Sequence, residues 1–190
     1  SDVCSSDLRT DRFLYVGRFD QPKGVPFLLH AWQSLPQLSL DLIGTGELFD
    51  ELSVRFGASP NVSFLGNMAL SDVKNEIASH RALIVPSLWF ETFGMVVIEA
   101  FSCGVPVIAS AHGALAEIVD HMHTGLLFEP GDQEDLLATL RWASENPSSM
   151  EQFGRNAKRE FERLYSAEQN SQMLQDISRF AQQHRAARCR

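Results

Sequence analysis

The sequence is short of cysteine, of long apolar runs and of positive charge. Cysteine appears only as Cys4, Cys103 and Cys189, an odd count without metal-like spacing, which excludes a disulfide framework. Cys103 sits in an apolar run and reads as a buried, reduced thiol. No stretch approaches the roughly 18 apolar residues of a membrane span, and no signal-peptide core opens the chain. A reduced, cytoplasmic setting is the expectation. Lys and Arg number 16 against 24 Asp and Glu, for a net charge of −8. That balance argues against a surface built for nucleic acid or anionic lipid, though not against a small basic pocket. No aspartates stand in the D-x-D spacing that holds a metal beside a diphosphate, and the six histidines form no cluster. No serine or cysteine nucleophile arrangement is visible. The expectation is a protein with no bound metal and no resident cofactor.

What is present is one domain's worth of alternating patterns in 190 residues. The opening SDVCSSDLRT is polar and aperiodic, so residues 1–11 read as a non-native or disordered leader. Strand-sized apolar runs follow at 13–16, 40–43, 62–65, 82–85, 105–109 and 125–128. Most are apolar on nearly every residue, as expected of parallel strands covered on both faces. Helix-sized segments fill the gaps at 27–35, 47–56, 72–79, 94–103 and 115–120. This β-α alternation predicts an α/β fold, a doubly wound Rossmann-like parallel sheet of about six strands. Beyond Phe128, Asp132 and Asp135 can cap a helix with a stripe of Leu136, Leu140 and Ala143, which Asn146 and Pro147 stop. Two further stripes follow, Met150-Phe153-Ala157-Phe161-Leu164 and Met173-Ile177-Phe180. These read as helices that close the domain, with residues 12–165 as its body and 166–190 as a final helix and tail.

Ligands of open parallel sheets bind beyond the carboxyl ends of the strands, where strand order reverses. In the common doubly wound order the first and fourth strands flank that crevice. The loop after the first is GRFDQPKG, at 17–24, and the loop after the fourth is PSLWFETFG, at 86–94. In the first, Gly17 permits close backbone approach, and Arg18 and Lys23 bring two cations to the strand mouth, which suits a diphosphate. A solvated loop with two surface cations would read the same way. In the second, Glu91 precedes Thr92, a possible N-cap, and a helix whose free N–H groups favour an anion. That helix is apolar except for Glu99. Such a carboxylate either faces solvent or has a dedicated donor, and the two hydroxyls of a ribose would serve.

Glu91-Thr-Phe-Gly-Met-Val-Val-Ile-Glu99 is an E-x7-E arrangement within PSLWFETFGMVVIEAFSCGVPVIAS. It stands in order with VGRFDQPKG, LIGTGE, NVSFLGNM and GLLFEPGD. Together these segments resemble the C-terminal, donor-binding domain of glycosyltransferase family 4, retaining enzymes of the GT-B fold. The resemblance covers about residues 12–165. It implies that Arg18 and Lys23 bind the donor diphosphate, that Glu99 accepts from the nucleotide ribose, and that Glu91 meets hydroxyls of the transferred sugar. It also implies that the backbone of Thr92, Phe93, Gly94, Met95 and Val96 meets the sugar and distal phosphate. Gly66, Asn67 and Met68 would lie beside the base. Arg18, Lys23 and Glu91 would carry the catalysis, without a metal, and stabilising the departing diphosphate would be the main electrostatic task.

Family members carry an N-terminal domain that binds the acceptor, and these residues hold one domain. The resemblance therefore implies a chain that binds a sugar nucleotide and, alone, transfers no sugar. Any membrane contact would come through the absent half. Three alternatives stay open: a sugar-nucleotide epimerase of the same fold, a stand-alone sugar-nucleotide-binding module, and a Rossmann-like domain for another nucleotide.

Overall fold

The structure is a computed structural model and describes residues 9–91 and 94–165. Its six strands are β1 (Arg12–Val16), β2 (Ser39–Ile43), β3 (Val62–Gly66), β4 (Ala82–Val85), β5 (Val107–Ser110) and β6 (Gly125–Phe128). They pair in the order β3-β2-β1-β4-β5-β6, every pair parallel. The expected doubly wound sheet is therefore present. The order reverses between β1 and β4, where Phe13 lies opposite Ala82 and Tyr15 opposite Ile84.

Alternate residues of each strand enter opposite layers, as the two-residue repeat of a strand requires. Phe13, Tyr15, Leu40, Leu42, Ile84, Ile108 and Phe128 pack on one face. Helices α1 (Val25–Trp32), α2 (Phe49–Phe56) and α6 (Gln133–Glu145) cover them. Leu14, Ile43, Leu83, Val85, Val107 and Ala109 fill the other face. There they lie under α3 (Leu70–Ser79), α4 (Met95–Ser102), α5 (Gly113–Ile118) and α7 (Pro147–Leu164). Burial on both faces explains why the strand sequences read as near-continuous apolar runs.

Local differences from the sequence reading have local causes. The first helix begins at Val25, with Pro26 in its first turn, and ends at Trp32 rather than residue 35. The Trp32 indole Nε1 donates to the Leu38 carbonyl (3.1 Å), which anchors the turn into β2. The fifth strand begins at Val107 rather than residue 105. Pro106 has no N–H for the ladder, and the Val105 N–H is turned back to the Ala100 carbonyl (2.9 Å). The helix after Asp132 is capped as expected, its carboxylate accepting from Glu134 N and Asp135 N, and the break at Asn146 and Pro147 separates α6 from α7. Arg9 and Thr10, assigned to the leader, touch the domain: Arg9 donates to the Cys103 and Gly104 carbonyls and Thr10 N to the Ser79 carbonyl. The stripe of Met173, Ile177 and Phe180, with the rest of 166–190, lies outside the described residues.

Candidate functional site

The loop after β1 is held rigid from within. Phe19, fully buried between Arg18 and Asp20, meets the rings of Tyr15 and Phe49 edge-on, at 5.8 and 5.1 Å between centroids. Arg18 points outward, and Asp20 turns back beneath the loop, only 6% exposed. One Asp20 oxygen, Oδ2, accepts from Arg18 Nε (2.9 Å) and Nη2, and the other, Oδ1, accepts the Lys23 backbone N–H (3.0 Å). That hydrogen bond, with the charge of Asp20, holds the Arg18 guanidinium pKa above its ordinary value. The buried Tyr15 hydroxyl donates to the Arg18 carbonyl (2.7 Å). Burial, reinforced by Asp20 and Glu91, pushes the Tyr15 phenol pKa far up, so it stays protonated and a donor.

This loop is locked to the one after β4. Leu88 N donates to the Pro22 carbonyl (2.8 Å). Gly24 takes a left-handed φ of +71°, and a Cβ there would stand 1.9 Å from the Pro86 carbonyl oxygen. No other residue fits that crossing. The lock sets Lys23 Nζ 2.6 Å from Glu91 Oε1, which also accepts from Ser87 Oγ (2.6 Å). The Ser87 carbonyl in turn accepts from His112 Nε2 (2.7 Å), just ahead of α5. Residues 68 positions apart in sequence thus share one electrostatic centre.

Around that centre lies a cavity of about 490 Å³. Residues 15–18 and Lys23 form one wall, Val85, Ser87 and Glu91 the other, and Gly94, Met95 and Val96 the third. The structure therefore brings together Gly17, Arg18, Lys23, Glu91, Gly94, Met95 and Val96 of the residues expected from sequence. Thr92 and Phe93 lie outside the described residues. Gly66, which ends β3, and Asn67 and Met68, which follow it, stand at the same end of the sheet but do not line the cavity, and Met68 packs against the core. Glu99 also lies off the lining. It is exposed, one turn beyond Met95 on α4, and has no side-chain partner among the described residues. Of the two settings open to it from sequence, it has the solvent-facing one.

One expectation is corrected. The N-cap of α4 is Gly94, not Thr92, because the chain enters the helix through a left-handed φ of +54° that a glycine accepts readily. Among the described residues no side chain caps α4, nor α1, whose N-cap is Gly24. Both helices that follow the crevice strands thus begin without a capping carboxylate, and the positive end of the α4 dipole faces the cavity at Met95 and Val96.

Chemically, the cavity offers an ammonium, a guanidinium and a helix N-terminus to an anion, and the Glu91 carboxylate to polar groups. A second cavity, of about 340 Å³, opens beside Arg9, Lys158 and Gly104. There Arg9 and Lys158 (2.8 Å to the Ser102 carbonyl) are committed to the carbonyls that end α4. Among the described residues, no group of three or more His, Cys, Asp or Glu side chains converges as metal ligands, and no helix is long and apolar enough to cross a membrane. Sequence reasoning missed Asp20, Ser87 and His112. The first two left a signal: an Asp three residues before Lys23 can accept its N–H, and a Ser four before Glu91 can reach its carboxylate.

Comparisons with known proteins agree on a family. Residues 5–160 match Glycosyl transferases group 1. The chain is 33% identical over 153 residues to the sulfoquinovosyl transferase SQD2 of Arabidopsis thaliana, covering 79% of this chain and 30% of that protein. It is 32% identical over 159 residues to the D-rhamnosyltransferase WbpZ of Pseudomonas aeruginosa, covering 82% and 42%. The chain thus spans less than half the length of these curated relatives. Among solved structures, Anabaena HepE in complex with UDP superposes with a TM-score of 0.79 at 25% identity, covering 90% of this chain and 49% of that one. The C-terminal domain of LpcC, a glycosyl transferase group 1 protein of Francisella tularensis, superposes at 0.72 with 19% identity, covering 85% and 89%, and shows the shared fold. A doubly wound sheet, a cationic cavity at its reversal point and this match over most of its length place the chain among the group 1 glycosyl transferases.

Proposed function

We propose that this chain is the donor-binding, C-terminal half of a retaining glycosyltransferase of family 4, holding a nucleoside-diphosphate hexose. The observation that carries the reading is the placement of Arg18, Lys23 and Glu91 around one cavity at the β1–β4 reversal point. The match to HepE, which was solved with UDP and with UDP-glucose, supports a uridine donor as the first to test. The near-complete coverage of the LpcC C-terminal domain supports the placement in the chain.

In this reading the diphosphate lies against Arg18, Lys23 and the N-terminal N–H groups of α4. Glu91, held by Ser87 and Lys23, takes hydroxyls of the sugar. Glu99, one turn along α4 and without a side-chain partner among the described residues, takes the ribose hydroxyls. Gly66, Asn67 and Met68 border the base, and Thr92 and Phe93 complete the sugar wall. Transfer breaks the bond between the anomeric carbon and the diphosphate oxygen and joins an acceptor oxygen on the same face. The acceptor's proton leaves with the phosphate. Two fixed cations and a helix dipole stabilise the charge that gathers on the leaving group. They supply that charge without a divalent ion, so chelation with EDTA should leave transfer by the full-length enzyme unchanged. The acceptor and the second wall of the cleft belong to the rest of the protein, and this chain alone binds donor and transfers no sugar.

A thermal-shift panel of UDP-, GDP- and ADP-sugars tests the reading. A preferred donor at 100 times its Kd stabilises by about 2.7 kcal/mol, about 5–10 °C for a domain this size. No shift with any of the three, or sugar transfer by this chain alone, refutes it. Product analysis of the full-length protein with a UDP-sugar separates transfer from epimerisation.

A further inference from the structure

Asp20 stands at the centre of the loop after β1, yet it does not line the cavity. It is 6% exposed, in a position where a carboxylate is costly unless its lone pairs are filled. Three donors fill them. Arg18 Nε and Nη2 both reach Oδ2, and the Lys23 backbone N–H reaches Oδ1 at 3.0 Å. One buried side chain therefore holds both residues whose cations face the cavity.

The pattern of these contacts decides what Asp20 does to Arg18. A guanidinium has five N–H groups, and Asp20 takes those on the Nε–Nη2 edge. Both hydrogens of Nη1, and one of Nη2, remain. The Arg18 side chain is 78% exposed and lines the cavity, while that of Asp20 is 8% exposed and does not. Asp20 is thus too deep to repel an anion at close range, and it fixes the guanidinium plane through one edge, leaving the other presented. Its second contact fixes the Lys23 backbone, from which the ammonium reaches to 2.6 Å from Glu91. An arginine on an otherwise exposed loop would lose several rotatable bonds of freedom on binding a phosphate. With Asp20 beneath it, part of that ordering is in place before the ligand arrives.

We propose that Asp20 is the positioning residue of the diphosphate site, orienting Arg18 through its Nε–Nη2 edge and anchoring Lys23 through its backbone. The inference rests on the reading of the cavity as a nucleoside-diphosphate site. It commits to a direction: Asp20 assists anion binding although it is itself an anion.

The test is calorimetric titration of the chain with UDP, GDP and ADP, then of its variants with the tightest of these and the matching monophosphate. Asp20→Ala should weaken diphosphate binding about tenfold and monophosphate binding no more than about twofold, because the edge it orients serves the second phosphate. Asp20→Asn retains the shape and an acceptor for the Lys23 N–H, folds if Asp20→Ala does not, and should lose about threefold. In an Arg18→Ala background the Asp20→Ala loss should shrink to about twofold, since the losses through Arg18 do not add. Unchanged or tighter diphosphate binding in both Asp20 variants overturns the proposal and makes Asp20 a bystander or a competitor for Arg18. Equal loss for mono- and diphosphate, or full additivity with Arg18→Ala, also overturns it by reducing Asp20 to a structural residue. If the unaltered chain binds none of the three diphosphates, the reading of the cavity fails and this proposal with it. Binding by the unaltered chain beside unaltered Asp20 variants sinks the proposal alone.

Discussion

Ion pairs occur toward both ends of the sheet, and they are built differently. Toward the strand starts, Asp41 accepts from Arg12 Nε (2.7 Å) and from His80 Nε2 (2.9 Å), and Arg12 also donates to Ser63 (2.9 Å). His80 is 2% exposed and its Nδ1 meets the Glu76 carbonyl (2.6 Å). Arg12, Asp41 and His80 are turned on one another there. Beyond the strand ends, Arg18 and Lys23 each have one carboxylate partner and keep N–H groups facing a cavity. A closed network of this kind serves the fold, whereas an open one can accept a ligand. The difference lies in where the remaining donors face, not in how many charges are present.

The largest expected effect strikes the lock between the two loops. Gly24→Ala puts a methyl group into the Pro86 carbonyl and strains a left-handed residue. It should destabilise by about 4 kcal/mol, a fall of roughly 8–16 °C in Tm, with loss of nucleotide binding. A milder fall that spared binding would show that the loops are not coupled.

Asp41→Asn comes next and should separate the two ends. Removing the carboxylate leaves Arg12 and His80 short of a partner, for about 2 kcal/mol of stability, while nucleotide affinity stays unchanged. Burial alone would raise the Asp41 pKa, but hydrogen bonds from Arg12, His80 and Ser63 outweigh it and hold the carboxyl below its ordinary range. A depressed carboxyl contributes stability above its unfolded pKa of about 4, which is lost as pH falls through the folded value. Acid unfolding should therefore have a component below about pH 4 that Asp41→Asn removes. An unaltered acid transition in the variant would remove Asp41 from the account.

Arg18→Ala is the converse. It should cost about 1 kcal/mol of stability, since Asp20 is left with the Lys23 N–H alone, and weaken nucleoside-diphosphate binding about 10–100-fold, the worth of a charge-assisted contact. A large loss of stability would make Arg18 part of the closed kind of network. The smallest effect belongs to Trp89→Ser, at a residue 70% exposed on the rim of the loop after β4. Stability there should change by no more than about 0.5 kcal/mol.

The fold was legible because its strands are buried on both faces: apolar runs such as Leu83-Ile84-Val85 leave no other reading, and their order placed the crevice at β1 and β4. The cavity wall was legible where residue type and chemistry coincide, as at Arg18, Lys23 and Glu91. Asp20 was passed over because sequence shows an acid among polar neighbours, while its burial depends on Phe19 pulling the loop inward. Thr92 seemed a fair cap because its hydroxyl suits the role, whereas the left-handed turn at Gly94 sets where α4 starts. Nor could spacing reveal that Lys23 meets Glu91, since the contact depends on the crossing of Gly24 over Pro86.

The pairing of β1 with β4 also bears on the order of events during synthesis. β1 emerges from the ribosome before the other strands, and its partner β2 follows shortly, so that half of the sheet can assemble while translation continues. β4 arrives only after β2, β3 and three helices have been made. The cavity lies on this late seam, with Arg18 and Lys23 on the early side and Glu91 on the late one. A nascent chain therefore carries the cations for some time before it carries the carboxylate and the α4 N-terminus, and on the proposed function nucleotide capture would report that both halves of the sheet have joined.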